Sequence, residues 1–163
     1  MTHTPATGQH TTDGTPHGYS TITPFLAITN TAAALDFYRD VFGARVVNST
    51  TMGEVVVHAE VEFANGRLQL GAPQEAYHLL PQPTSDDVSC SFVFYCPDVD
   101  ATVERAVAAG ATLREPLMTF VSGDRFASIR DPFGVRWSVM TRVEDLSDAE
   151  SDARVKEWVA RQG

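Results

Sequence analysis

The chain has 163 residues, 43% of them hydrophobic, and a formal net charge of −9. That length can bury one sizeable core or two small ones fused together, and the apolar content excludes a fully disordered protein. The acidity sets long-range repulsion against a phosphate backbone, so a small-molecule ligand, neutral or cationic, is expected rather than nucleic acid; no apolar run reaches the roughly 18 residues of a membrane span.

Residues 1–18 are rich in Thr, His, Gly and Pro and have no apolar signal core, so they read as a flexible tail in which His3, His10 and His17 are solvated. Residues 21–28 alternate as a strand does, with Pro24 placing it at an edge or near a strand start. Asn30 and Thr31 offer an N-cap for a helix over residues 32–42, where Ala34, Tyr38, Val41 and Phe42 recur at helical spacing, and Gly43 suits a left-handed stop. Strands follow over 44–51, 55–63 and 67–72, separated by Gly53 and by the hairpin signal Asn65-Gly66. A linker over 73–88 carries Pro73, Pro81 and Pro83.

The same order then returns. A strand over 89–96 leads through Pro97-Asp98 into a helix carrying Val99, Val103 and Val107 and ending at Gly110. Strands over 111–120, 125–130 and 135–141 are separated by turns at 122–124 and 131–134. Gly43-Ala44 matches Gly110-Ala111, and Asn65-Gly66 matches Phe133-Gly134, giving a repeat of about 67 to 69 residues, an internal duplication. The expected organisation is a tail (1–18), a first βαβββ module (19–72), a linker (73–88), a second module (89–145) and a C-terminal helix within 146–163. Ser147 and Glu150 form a capping box for that helix, and Val155, Trp158 and Val159 share one face by which it should dock. Cys90 and Cys96 on one strand would stand roughly 20 Å apart, too far for a disulfide. Two unpaired thiols point to a reducing cytoplasm.

Phe25-Leu26-Ala27-Ile28, Leu35-Asp36-Phe37-Tyr38, Val41-Phe42-Gly43-Ala44, Gly123-Asp124-Arg125 and Asp131-Pro132-Phe133-Gly134, in that order within a duplicated unit, resemble the vicinal oxygen chelate superfamily. This is the glyoxalase/bleomycin-resistance/dioxygenase group, and the last two motifs are most similar to its PhnB-like branch. The resemblance covers about residues 19–145. It implies an α+β fold in which each βαβββ module curls four strands into a half-barrel cup, and paired modules share a ligand site. It also implies a homodimer, since partner subunits in this family often complete the site. The superfamily includes metal-dependent isomerases, dioxygenases and epimerases, thiol transferases and metal-free drug binders, so fold does not settle activity.

Strand alternation separates the two sheet faces. Leu26, Ile28, Val57, Ala59, Val61, Leu68, Leu70, Phe92, Phe94, Cys96, Ala127, Ile129, Trp137 and Val139 fall on an apolar face suited to helices, and Cys90 and Cys96 are expected to be inert packing there. The opposite face collects Thr23, Phe25, His58, Glu60, Arg67, Gln69, Ser91, Val93, Tyr95, Phe126, Ser128, Arg136, Ser138 and Met140, a mixture of rings, hydroxyls and charges proper to a ligand cavity. Tyr77, His78 and Phe120 are expected at the mouth or capping the core.

Metal-dependent relatives place His, Gln or Glu at four positions that correspond here to Thr23, Gln69, Ser91 and Ser138. Hydroxyls and one neutral amide are poor ligands for a divalent ion, so no metal and no cofactor are expected. The resulting expectation is a metal-free small-molecule binder, sequestering an antibiotic or another aromatic or cationic ligand. Its site would comprise Phe25, His58, Gln69, Ser91, Tyr95, Phe126, Arg136 and Ser138. The alternative is a glyoxalase-like lyase, isomerase or dioxygenase with an atypical site at His58, Glu60 and Gln69, in which His58 is the best candidate for acid–base work.

Overall fold

A computed structural model describes residues 3–163. The chain divides into two compact units, one running through Gln82 and the other Pro83–Gly163.

The first unit opens on a hairpin, β1 (Thr11–Thr12) and β2 (Thr15–Pro16), which turns through Asp13 and Gly14 at φ 46° and 80°. The segment read as a tail therefore carries an element of its own, and its Asp-Gly pair was the local signal for it. Next come β3 (Phe25–Ala27), α1 (Thr31–Phe42), β4 (Arg45–Met52), β5 (Val55–Glu62) and β6 (Arg67–Gly71). Their sheet order is β3-β6-β5-β4, with β3 parallel to β6 and the other pairs antiparallel. The strand expected over 21–28 is shorter than its alternation suggested, and Thr23 lies outside it. Residues 73–82 hold a single 3-10 turn, Glu75–Tyr77, whose Tyr77 is exposed.

The second unit repeats the plan with β7 (Phe92–Tyr95), α2 (Val99–Ala108), β8 (Thr112–Thr119), β9 (Asp124–Arg130) and β10 (Arg136–Arg142), in the order β7-β10-β9-β8. Again the first strand is parallel to the last. The duplication seen in the sequence is thus a duplication of topology.

Local chemistry sets the helices. Asn30 accepts from the N–H of Ala33 at 3.3 Å, Gly43 ends α1 at φ 69°, and Asp98 accepts from the N–H of Ala101 at 3.0 Å. α1 packs on β5 and β4 and buries Tyr38 completely; α2 packs on β10, β9 and β8 through Val99, Thr102, Val103 and Ala106. Val107 is exposed instead, because strict four-residue spacing drifts off a face of period 3.6. The helix-covered residues Leu26, Ile28, Ala59, Val61, Leu68, Leu70, Ala127, Ile129, Trp137 and Val139 are buried as expected.

Three expectations need correction. Val57 is only half-buried and Val56 is buried in its place, because Thr50 and Thr51 pair with His58 and Val56, leaving Val57 as a bulge that reverses the alternation. Cys90 is exposed and precedes the strand, while Cys96 is half-buried just after it, so neither sits in the core. The terminal helix α3 (Asp148–Ala160) has the capping box, yet none of its residues is buried and Trp158 is 39% exposed. Its attachments are an edge-on contact of Trp158 with Phe120 at 5.1 Å, a hydrogen bond from Ser151 to the carbonyl of Ser122 at 3.0 Å, and an Arg154–Glu144 pair at 2.8 Å. Among the described residues, no helix is long and apolar enough to cross a membrane.

Candidate functional site

Register shifts interrupt the β4–β5 and β8–β9 pairs, the second and third strands of each module, and the helix of each module covers one sheet face and leaves the other open. Directly paired residues share a face, so the register lays out each cup as rows running across its strands.

In the first unit one row is Phe25–Gln69–Glu60–Asn48, and the next toward the strand ends is Arg67–Glu62–Arg45. Three expected site residues therefore lie in this cup: Phe25 and Gln69 are neighbours, and the His58 ring stacks on Phe25 at 6.2 Å. Glu60, only 5% exposed, is held on both oxygens. Oε1 accepts from the Gln69 amide at 3.0 Å; Oε2 accepts from the Tyr19 hydroxyl and faces Arg67 at 3.6 Å. The Arg67 guanidinium lies over the Tyr19 ring at 4.4 Å and also pairs with Glu62 at 3.1 Å, and Glu62 pairs in turn with Arg45. The carboxylate of Glu60 pushes the Tyr19 phenol above its ordinary value, with burial adding to the effect. Arg45, then Arg67, hold the Glu62 carboxyl below its own. Tyr19 was invisible to sequence reasoning, since nothing local links it to a strand 41 positions on.

In the second unit the rows are fuller. Tyr95–Met140–Phe126–Met118 forms an apolar row across all four strands, and Val93–Ser138–Ser128–Glu115 forms a hydroxyl-bearing row beside it. Beyond these, Arg136 stands directly opposite Arg130. The expected residues Tyr95, Phe126, Arg136 and Ser138 are thus brought onto one open face. Ser91 precedes the strand but joins Ser128, Arg136, Ser138, Glu115 and Asp86 around a hollow of about 410 Å³. Arg136 donates from Nε to Ser128 at 2.6 Å and from Nη2 to Glu115 at 3.1 Å. At the other end Asp124, 4% exposed, accepts from Tyr95 at 3.3 Å, Ser122 at 2.8 Å and Arg142 at 3.0 Å. Sequence reasoning missed Arg130 and Asp124, although alternation outward from Ser128 and Phe126 would have reached both.

The donor set can be tested against a divalent ion. In the first unit the Thr23 hydroxyl donates to the carbonyl of Ser20 at 3.3 Å and the Gln69 amide donates to Glu60. Ser91 and Ser138 in the second unit are neutral hydroxyls. Among the described residues, no three His, Cys, Asp or Glu side chains are grouped as a metal would require. These positions do not fit a resident metal.

A family model for the glyoxalase/bleomycin resistance protein/dioxygenase superfamily matches residues 10–139. The uncharacterized protein Mb0911c of Mycobacterium bovis is 30% identical over 141 residues, covering 81% of this chain and 90% of that protein. The structure of TioX from Micromonospora sp. ML1 is similar with a TM-score of 0.58 at 24% identity, covering 76% of this chain and 99% of TioX, a likeness of fold alone. Lactoylglutathione lyase from Agrobacterium tumefaciens is similar with a TM-score of 0.54 at 28% identity, covering 75% of this chain and 93% of the lyase. With that match spanning most of its length, and with its duplicated βαβββ topology, the chain belongs to the glyoxalase/bleomycin resistance protein/dioxygenase superfamily.

Proposed function

We propose that the protein binds and sequesters a small aromatic molecule, such as an antibiotic, without a resident divalent metal, and that it belongs to the PhnB-like branch of its superfamily. The observation that carries this reading is the pair of adjacent rows in the second unit. Tyr95, Met140, Phe126 and Met118 line up beside Ser138 and Ser128, while Tyr95 remains 54% exposed and Val93 58% exposed on the open face. Apolar rings next to a few fixed hydroxyls are the composition of a ligand cup, where a planar molecule stacks and is oriented. Each well-placed ring contact would contribute about 0.5 to 1.5 kcal/mol beyond burial.

The donor chemistry at Thr23, Gln69, Ser91 and Ser138 supports a binder over a metal-dependent catalyst. The competing reading, acid–base chemistry at His58, Glu60 and Gln69, is weakened by Glu60, whose two oxygens already accept from Gln69 and Tyr19. Binding needs only complementarity, so no side chain has to change its protonation. Branch membership is supported by the motifs at 123–125 and 131–134.

The test is thermal unfolding of the full chain against a panel of aromatic and cationic antibiotics, with elemental analysis after mild purification. A saturable rise in Tm with at least one aromatic compound, and tolerance to it on expression, is the expected result. Stoichiometric Ni, Fe, Mn or Zn that disappears in His58→Ala would replace the binder with a catalyst.

A further inference from the structure

The two units are repeats, so each row of one cup can be read against its counterpart. In the first unit the row at the start of the last strand is Arg67–Glu62–Arg45, a carboxylate between two guanidinium groups, with Glu60 facing Arg67 as the second negative charge. The corresponding residues of the second unit are Arg136, Arg130 and Thr112, which sets like charges directly opposite each other, and Arg114 is the unpaired residue of the bulge between Leu113 and Glu115. Like charges facing across a ladder repel and need an anion. Yet Arg130, Arg136 and Arg114 side chains are only 17%, 19% and 24% exposed, so solvent does not relieve them.

What neutralises them is makeshift. Asp86 pairs with Arg114 and stands 3.8 Å from Arg130, although its side chain is 62% exposed in a loop. Glu115, 54% exposed, meets Arg136 at 3.1 Å. The Nε atoms of Arg114 and Arg130 are buried with no hydrogen-bond partner among the described residues, a costly state for a cationic donor. Asp86, Arg136, Ser91, Ser128 and Ser138 all line the same hollow of about 410 Å³.

We propose that this end of the second cup is the subsite for an oxyanion, a carboxylate or phosphate carried by the small molecule. Asp86 stands in for that group when no ligand is bound. This narrows the reading above and rests on it: the aromatic part of the ligand lies on the Tyr95–Met140–Phe126 row, and its oxyanion reaches past Ser138 and Ser128 to Arg136, Arg130 and Arg114. Guanidinium forks suit both anions, because they offer paired N–H donors to two oxygens. A local cluster of three arginines also reconciles an anionic group with a protein of net charge −9.

The experiment compares benzoate and phenyl phosphate with benzamide, which keeps the ring and lacks the charge, in chloride buffers of constant ionic strength. Binding is read from Tm and from protection of Cys90, an exposed thiol on the rim of the hollow, against alkylation. At least one of the two anions should bind saturably and slow Cys90 alkylation, with benzamide weaker by about tenfold. Arg136→Gln and Arg130→Gln should each weaken the anion by about tenfold. Asp86→Asn should tighten it several-fold, since the resident carboxylate no longer competes; this variant keeps the proposal testable if an arginine variant fails to fold. Equal binding of benzamide and both anions overturns the oxyanion site while leaving the aromatic cup intact. Weaker anion binding in Asp86→Asn, or no protection of Cys90 by either anion, overturns it as well. Anion binding as described in a protein that holds a stoichiometric metal would keep the subsite and remove the metal-free reading.

Discussion

The indole N–H of Trp137 donates to Oδ2 of Asp131 at 3.0 Å, and Oδ1 of the same carboxylate accepts from the backbone N–H groups of Phe133 and Val135, both at 2.9 Å. One buried side chain thus closes the turn at residues 131–134 and ties it to β10, the strand that carries Arg136 and Ser138. Removing it leaves three donors to be rehoused, two of them buried. Asp131→Ala should therefore lower stability by about 3 kcal/mol, measured by urea unfolding followed through the buried Trp137. Asp131→Asn keeps an acceptor but turns an NH2 toward a donor, so it should recover only part of the loss. An unchanged urea midpoint in both variants would contradict this account of the motif.

Gly71 sits where β6 passes the bulge at Val57, and a Cβ added there would run into the carbonyl oxygen of Val57, with the Phe25 ring at 3.2 Å beside it. Neither neighbour is a flexible chain end that could give way. Gly71→Ala should cost about 2 to 3 kcal/mol. Because Phe25 shares the clash, the same variant should weaken any ligand stacked in the first cup. Wild-type stability in this variant would mean that the bulge is absent in solution.

That bulge marks the limit of what the sequence made legible. The element order of the two modules, the helix caps at Asn30 and Asp98, the stop at Gly43 and the repeat itself were readable because each is written in residues a few positions apart. Alternation also assigned Tyr95, Phe126, Arg136 and Ser138 to one face, since β9 and β10 pair in unbroken register there. It failed at Val57 because a bulge is decided by how two strands meet, not by either strand alone. It could not find Tyr19 against Glu60, or Asp86 between Arg114 and Arg130, because those contacts join loop residues to strands far along the chain.

The apolar stripe of α3 led to a different kind of error: a stripe shows that a helix can dock, not how deeply. Trp158 is 39% exposed and its ring touches Phe120 edge-on, whereas Trp137 is 4% exposed beneath α2. Trp158→Ala should cost no more than about 1 kcal/mol. Trp137→Phe, which keeps most of the volume but removes the buried indole donor to Asp131, should cost more. Parallel urea titrations settle the order, and a larger loss at Trp158 would show that the helix packs more tightly than its exposure indicates.

The cluster Tyr19–Glu60–Arg67–Glu62–Arg45 gives the first unit a pH signature with two separable limits. Tyr19 has its phenol pKa raised, so its contribution to stability is fully present below the ordinary tyrosine value of about 10 and is lost as pH rises through the higher folded value. Glu62 has its carboxyl pKa depressed by Arg45 and Arg67, so its contribution is present above its ordinary 4.5 and is lost as pH falls through the lower folded value. Tyr19→Phe keeps the ring under Arg67 but removes the hydroxyl, and should flatten only the alkaline decline. Glu62→Gln should flatten only the acid decline. Urea midpoints across the pH range read both, and the difference in phenolate absorbance between the wild type and Tyr19→Phe isolates Tyr19 from the other three tyrosines. If Tyr19→Phe left the alkaline limb unchanged, the Tyr19–Glu60 bond would not persist in solution, and the opening segment would not be fastened to the first cup through that hydroxyl.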